Sequence, residues 1–249
     1  HVWAAFFTLT ALELVLGIDN VIFISILVEK LPTEKRELAR RTGLFAAMFM
    51  RIGLLMMLAW LVGLTEPLFS VANQPFSGRD LVLLFGGLFL LWKSVGEIHE
   101  TMEGSHEGKN RSAAHSFGMV IFQIMLIDIV FSLDSIITAI GMVEQISVMV
   151  AAVIASVGLM MLFAKAIGEF VAAHPTIKML ALAFLVVIGV VLIAEGLGHH
   201  VPKGYIYSAM VFSVAVEMLN LRMRKRSARP VDLIVSLAEP DDKNNKQDS

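Results

Sequence analysis

The 249-residue chain is 57% hydrophobic and 17% charged, with a mean hydropathy of +0.75. A soluble domain carries about 25% charged residues, so this composition excludes an ordinary soluble globular protein. The chain has no cysteine, which excludes disulfides, thiolate zinc sites and iron–sulfur clusters, and its net charge of −2 says little by itself. Several apolar runs reach the roughly 20 residues that a helix needs to cross a bilayer.

These runs predict an all-α, polytopic membrane protein of about seven transmembrane helices. The first run contains Glu13 and Asp19 and lacks a basic leader segment, so we expect a true first span and not a signal peptide. The prolines fall between the runs, where a missing backbone N–H does least harm. The expected spans are residues 3–29, 43–64, 80–98, 116–142, 146–168, 177–198 and 204–221.

Basic residues alternate between the connecting segments. They follow the first, third, fifth and seventh spans, with the densest clusters at 30–41 and 222–229. The intervening connections hold only Arg79 and Lys203. By the positive-inside rule we expect the N-terminus outside and the C-terminus in the cytoplasm, in a cytoplasmic (inner) membrane.

Two of the apolar segments carry acidic residues at the same spacing. Residues 13–24 read ELVLGIDNVIFI, and residues 128–139, at an offset of 115, read DIVFSLDSIITA. The copies lie in the first and fourth spans, an odd offset of three, so the second copy must run upside down relative to the first. Inverted repeats that meet near the bilayer midplane are typical of secondary transporters. The matched pairs are Glu13 with Asp128, Asp19 with Asp134, and Asn20 with Ser135.

This repeat sets the predicted domain organisation. We expect two inverted three-helix repeats joined by a cytoplasmic linker and followed by one further helix and a largely disordered cytoplasmic tail. In chain order these segments are 1–98, the linker 99–115, the second repeat 116–198, the seventh helix 199–226, and the tail 227–249.

The acidic residues are the candidate functional groups. A carboxylate inside a bilayer costs about 2.5–3.5 kcal/mol on insertion scales, so four of them predict a cavity that holds a compensating cation. Carboxylate, amide and hydroxyl oxygens suit Mn²⁺, Mg²⁺ or Ca²⁺. The predicted metal ligands are Glu13, Asp19, Asn20, Asp128, Asp134 and Ser135, with Gln123 and Thr8 as further candidates.

An alternative is that these acids pair with Arg51, the one basic residue deep in a predicted span, and simply hold helices together. One arginine cannot neutralise four carboxylates, so we favour the cation site. Positions 13 and 20 share a helix face, whereas 13 and 19 differ by about 120°. Either the acids address two sides of the helix, or the helix unwinds near Gly17 and, in the second copy, near Ser132.

Other polar residues have simpler interpretations. Lys93 and Glu97 are four residues apart and are expected to form a local ion pair. His199 and His200, at the outer end of the sixth span, are expected to lie at the membrane interface, with capture of a metal at the entrance as the alternative. For Glu217 a proton-binding role and an interhelical hydrogen bond remain equal alternatives.

At ALELVLGIDN, VFSLDS, LFGGLFLLWKSVGEIHE and VPKGYIYSAMVFSVAVEMLN the chain resembles the TerC family of integral membrane proteins, over residues 11–220. The resemblance implies a LysE-superfamily-like fold and, as in characterised relatives, Mn²⁺ export across the cytoplasmic membrane, near the translocon. The family's acidic motifs map onto Glu13, Asp19 and Asn20 in the first half and onto Asp128, Asp134 and Ser135 in the second.

The leading hypothesis is therefore a secondary exporter that binds a divalent cation, Mn²⁺, between inverted halves. Protons compete with metal for carboxylates, so coupling to proton import is expected. Alternatives are a non-transporting membrane scaffold in envelope-stress or secretion complexes and, more weakly, an intramembrane aspartyl hydrolase. We expect no enzymatic activity, no prosthetic group and no nucleic-acid partner. The cation and the bilayer are the expected partners, and homo-oligomerisation and translocon association are left open.

Overall fold

The computed structural model describes residues 2–57, 65–103, 117–140 and 145–227. Within these ranges the side chains of Leu16, Ile18, Asp19, Asp134, Ser135, 137–140, Lys203, Arg226 and Ser227 are not described. The described part contains seven helices and one hairpin: α1 (Val2–Val28), α2 (Thr33–Met56), β1 (Pro67–Val71), β2 (Gln74–Ser77), α3 (Gly78–Glu103), α4 (Phe117–Ile140), α5 (Ile146–Ala173), α6 (Pro175–Gly196) and α7 (Lys203–Ser227).

The all-α prediction is confirmed, and each predicted span overlaps one of these helices. The start of α2 was predicted at residue 43, but the helix begins at Thr33. Hydropathy finds only the apolar part of a helix, whereas this first stretch is charged and stabilised by local pairs. Glu37 accepts hydrogen bonds from Arg40 Nη1 at 2.7 Å and from Arg41 Nε at 3.0 Å.

Two other predicted segments, the linker and the tail, lie largely outside the described residues. Helix α3 continues to Glu103, so it enters the predicted linker 99–115, and the rest of that linker lies outside the described residues. The predicted tail 227–249 lies beyond the described side chains altogether.

Length and composition allow four of the described helices to cross a membrane: α3, α5, α6 and, within α7, Gly204–Lys225. A fifth is α1 if its two arms, Val2–Val15 and Asn20–Val28, count as one bent span. Large apolar side chains cover the outside of these helices, which is what a helix facing lipid requires. Examples are Phe85 and Trp92 on α3, Leu162 and Phe163 on α5, and Val211 and Phe212 on α7.

A β-hairpin lies between α2 and α3, where no strand was predicted. Strands β1 and β2 pair antiparallel, and Phe69 stacks on Phe76 at 5.7 Å between ring centroids. Ala72 and Asn73 form the two-residue turn, both with positive φ, as a type I′ hairpin turn requires. The turn sequence has no glycine, which is why it gives no strong hairpin signal.

The described residues up to Pro202 form one compact unit, and α7 belongs to another. Within the first unit, helices of one predicted repeat pack on helices of the other. Helix α1 packs on α5, and its counterpart in the second repeat, α4, packs on α2. The pairs α3–α6, α2–α5 and α1–α4 also form. Exchanging the two repeats reproduces this set of contacts, as a two-fold related inverted repeat would require, although the repeat itself stays a prediction.

The α3–α6 pair is the most extensive of these contacts and depends on small residues. A Cβ on Gly87 would lie 2.8 Å from the carbonyl oxygen of Gly189, and one on Gly196 would lie 2.8 Å from that of Asp80. The helices therefore run antiparallel with their backbones in close contact, the usual arrangement for small residues in membrane helix pairs.

Ion pairs gather at the end of the first unit opposite the hairpin, which we call the basic face. Lys178 Nζ at the start of α6 lies 2.7 Å from Glu29 Oε2, just after α1. Glu97 of α3 pairs with Lys30 and, at 3.8 Å, with Lys93, which confirms the predicted Lys93–Glu97 ion pair. The end of α1 is thus linked to both α3 and α6.

Gly87→Ala should destabilise the protein by about 1–3 kcal/mol, because the new methyl group meets backbone atoms that cannot move aside easily. Gly96→Ala in the same helix is the matched control, since no described atom lies within 4 Å of its Cβ position. It should be neutral or stabilising by up to about 1 kcal/mol through helix propensity. Thermal unfolding of the detergent-purified variants measures both, and equal shifts would contradict the close α3–α6 contact.

Candidate cation site

Arg51 of α2 connects the two acidic motifs. Its Nη1 donates to Glu13 Oε2 on α1 at 2.5 Å, and its Nη2 donates to Asp128 Oδ1 on α4 at 2.5 Å. All three residues are buried, with 5%, 8% and 4% of their surface exposed. Two carboxylates at equivalent positions of the predicted repeat therefore converge on one guanidinium.

Asn20, seven residues after Glu13 on α1, also joins this cluster. Its Nδ2 donates to Asp128 Oδ1 at 3.0 Å, so one carboxylate oxygen accepts from both the amide and the guanidinium. Glu13 and Asn20 are seven residues apart on α1, and both join the cluster, as their predicted common face requires. We call Glu13, Asn20, Arg51 and Asp128 the polar cluster.

The other predicted ligands are placed differently. The side chains of Asp19, Asp134 and Ser135 lie outside the described residues. Thr8 is exposed, and Gln123 is half-buried five residues before Asp128. Among the side chains that are described, no group of three or more His, Asp or Glu residues could hold a metal ion, so the predicted ligand set stays a prediction.

The backbone of α1 tests whether the helix unwinds near Gly17, as one of the two alternatives required. It remains helical from Val2 to Val28, and its arms Val2–Val15 and Asn20–Val28 are inclined by 43°. A Cβ on Gly17, between the arms, would lie 1.7 Å from Met160 Cε of α5. Helix α4 is also helical through Ser132. Neither backbone loses its helical conformation at Gly17 or Ser132, and α1 bends at the acidic motif. That the acids address two sides of α1 stays a prediction, because the side chain of Asp19 lies outside the described residues.

A narrow cleft of about 10 Å³ lies beside Glu13, a volume comparable to one water molecule. Its lining comes from the hairpin-end portions of four helices, opposite the basic face, and Glu13 is its only ionisable member. The lining residues are Leu9 and Glu13 of α1, Leu55 of α2, Ile136 of α4, and Met149, Ala152 and Val153 of α5.

The alternative considered from the sequence, that Arg51 pairs with the acids, is observed for Glu13 and Asp128, and it makes Arg51 the centre of the cluster. Its single signal in the sequence is a basic residue among apolar neighbours in a predicted span. His199 and His200 are exposed at the end of α6. Glu217 is half-buried on α7, in the second unit.

With this geometry described, comparison with known proteins identifies the family. The model "Integral membrane protein TerC family" matches residues 1–230. The chain belongs to the TerC family.

Among TerC-family relatives, the "UPF0053 inner membrane protein YgdQ" of Escherichia coli (strain K12) is 54% identical over 227 residues, or 91% of this chain and 95% of YgdQ. A "UPF0053 protein" of Haemophilus influenzae is 57% identical over 225 residues, or 90% of this chain and 94% of that protein. The "UPF0053 inner membrane protein YoaE" of E. coli is 48% identical over 92% of this chain, which covers 44% of YoaE. No solved structure matches. These relatives and the apolar helices identify a multi-pass inner membrane protein.

In this TerC-family protein, Arg51→Gln should cost about 3–5 kcal/mol of stability in cation-free buffer, because it leaves two buried carboxylates without their counter-ion. Arg41→Gln is the matched control on the same helix, where the side chain is 68% exposed, and it should change stability by less than about 0.5 kcal/mol. Unfolding by SDS titration in mixed micelles with a chelator present measures both. An unchanged midpoint for Arg51→Gln would show that the pairs with Glu13 and Asp128 do not stabilise the fold.

Proposed function

We propose that this protein is a secondary transporter that exports a divalent cation, Mn²⁺, across the inner membrane through a carboxylate site between its two halves. The observation that carries the proposal is the convergence of Glu13 and Asp128 on one buried group, Arg51. The acids lie 115 positions apart in matching motifs, and side chains that both reach one guanidinium are close enough to share one ion.

The chemistry of the site supports a hard divalent ion. The cluster offers carboxylate and amide oxygens and no sulfur or imidazole, and oxygen donors suit Mn²⁺, Mg²⁺ and Ca²⁺. Asp19, Asp134 and Ser135 are the further ligands that the repeat and the family resemblance imply. The choice of Mn²⁺ and the export direction come from that resemblance.

The helix packing supports alternating access. Helix α1 packs on α5, and α2 packs on α4, and these two pairs join the predicted halves. The α3–α6 pair joins the third helix of one half to the third helix of the other. A movement of one half against the other would therefore expose the polar cluster to either end of the bundle in turn.

The cleft lies toward one end of the bundle. It is lined beside Glu13 from the hairpin end, which is the outer end in the orientation expected from the positive-inside rule. Ion pairs join helices at both ends, those of Glu29 and Glu97 at the basic face and Arg79–Glu195, at 3.9 Å, at the hairpin end. A water-sized cleft on the outer side of Glu13 supports a release path to the outside.

Proton competition gives a coupling mechanism. A carboxylate binds metal only when it is deprotonated, so a proton that enters from outside displaces the cation and the reverse holds inside. Cation export coupled to proton import follows from this exchange. The sequence has no G-x-x-x-x-G-K-[ST] motif that would indicate ATP hydrolysis within this chain.

Asp19→Asn and Asp134→Asn should each abolish cation transport, because neutral amides cannot compensate a divalent charge in a low-dielectric site. The assay is Mn²⁺ flux in proteoliposomes under both proton-gradient orientations, with Mg²⁺, Ca²⁺ and Zn²⁺ as competitors. Glu34→Gln, an exposed carboxylate in the first turn of α2, is the control and should transport like the wild type.

Wild-type-like flux in both aspartate variants would refute a transport site at these positions. Absence of flux from the wild type with every ion would instead favour a non-transporting scaffold.

A further inference from the structure

Among the described residues, the guanidinium of Arg51 is not fully hydrogen-bonded. It uses Nη1 and Nη2, while its Nε has no hydrogen-bond partner in the described part of the chain. Asp128 has the Ser132 hydroxyl, one helical turn further along α4, as an additional hydrogen-bonding neighbour. A buried ion pair that only holds helices together is most stable when every donor and acceptor is satisfied, and here the guanidinium keeps one N–H to spare.

The formal charge of the cluster is also unbalanced. One guanidinium faces two carboxylates, which leaves one negative charge among three buried side chains. A divalent cation in its place would neutralise both Glu13 and Asp128. Arginine is therefore a weaker substitute for the ion that the carboxylates could bind.

Arg51 lies near the cleft and on a helix of its own. It precedes Leu55 by one helical turn on the same face of α2, and Leu55 lines the cleft together with Glu13. Its long side chain reaches the carboxylates from a helix that carries neither of them, so a movement of α2 or of this side chain would break both contacts.

We infer that Arg51 is a tethered counter-cation, which occupies Glu13 and Asp128 when the transporter is empty and is displaced when the divalent cation binds. This inference rests on the proposed transport function and adds a competitor built into the same site. In the empty protein the guanidinium offsets part of the buried negative charge, so the protein can change between its two access states without an ion. In the loaded protein its displacement lowers the net affinity for the ion.

A lowered affinity for the ion favours its release. A site that binds its ion too tightly cannot release it, and a transporter needs binding strong enough to load and weak enough to unload. Arg51 returns to the carboxylates as the ion leaves, which shortens the bound state. The apparent dissociation constant equals the intrinsic constant divided by the fraction of time for which the arginine is away from the site.

The test compares Mn²⁺ binding and Mn²⁺ transport in wild type, Arg51→Lys, Arg51→Gln and the exposed control Arg41→Gln. Equilibrium dialysis of detergent-purified protein gives the dissociation constants. Arg51→Gln should bind Mn²⁺ about tenfold tighter or more at constant pH, because no arginine competes for the carboxylates. Arg51→Lys should lie between, since an ammonium cannot bridge two carboxylates as a guanidinium fork does. In proteoliposomes Arg51→Gln should show a lower KM together with a lower maximal rate, and Arg41→Gln should match the wild type.

The outcomes separate this inference from the proposed function. If the wild type binds and transports Mn²⁺ but Arg51→Gln binds it equally or more weakly, Arg51 has a structural role only and the inference is wrong. If the wild type binds no Mn²⁺, the transport proposal fails and the inference with it. Should Arg51→Gln not fold, the comparison of Arg51→Lys with wild type decides, and unchanged affinity in that variant also overturns the inference.

Discussion

Buried carboxylates need a positive partner, and this constraint organises the centre of the protein. Glu13 and Asp128 lie in apolar helices from the two predicted halves, where an unpaired carboxylate would be costly. Arg51 meets both with one side chain from a third helix. Helices α1, α2 and α4 are thereby fixed to one another at a single point, and any ion that enters must compete with that contact.

The surrounding packing fits a site that opens and closes. Glycines bring α3 and α6 into backbone contact, while α1 bends between Val15 and Asn20, where the acidic motif lies. Ion pairs gather at the basic face and the cleft lies toward the hairpin. The close α3–α6 pair and the bend of α1 at the acidic motif are the features on which the proposed alternating access depends.

Much of this could be predicted from the sequence because apolar runs and repeated acids are local signals. Hydropathy located the helices, and the offset of 115 predicted that Glu13 and Asp128 meet. Hydropathy could not show the charged start of α2 at Thr33, and the glycine-free turn at Ala72 and Asn73 gave no hairpin signal. Pairing of the acids with Arg51 was foreseen as an alternative, but the choice of Glu13 and Asp128 was hidden, because these partners lie 38 and 77 residues away and no spacing rule joins them.

The central claim is that an ion replaces arginine on these carboxylates, and anomalous scattering at the manganese edge from Mn²⁺-loaded crystals tests it most directly. The account predicts a manganese peak between Glu13 and Asp128, with the Arg51 guanidinium turned away from both. A structure in which Arg51 still contacts both carboxylates, with manganese bound elsewhere or not at all, would contradict it.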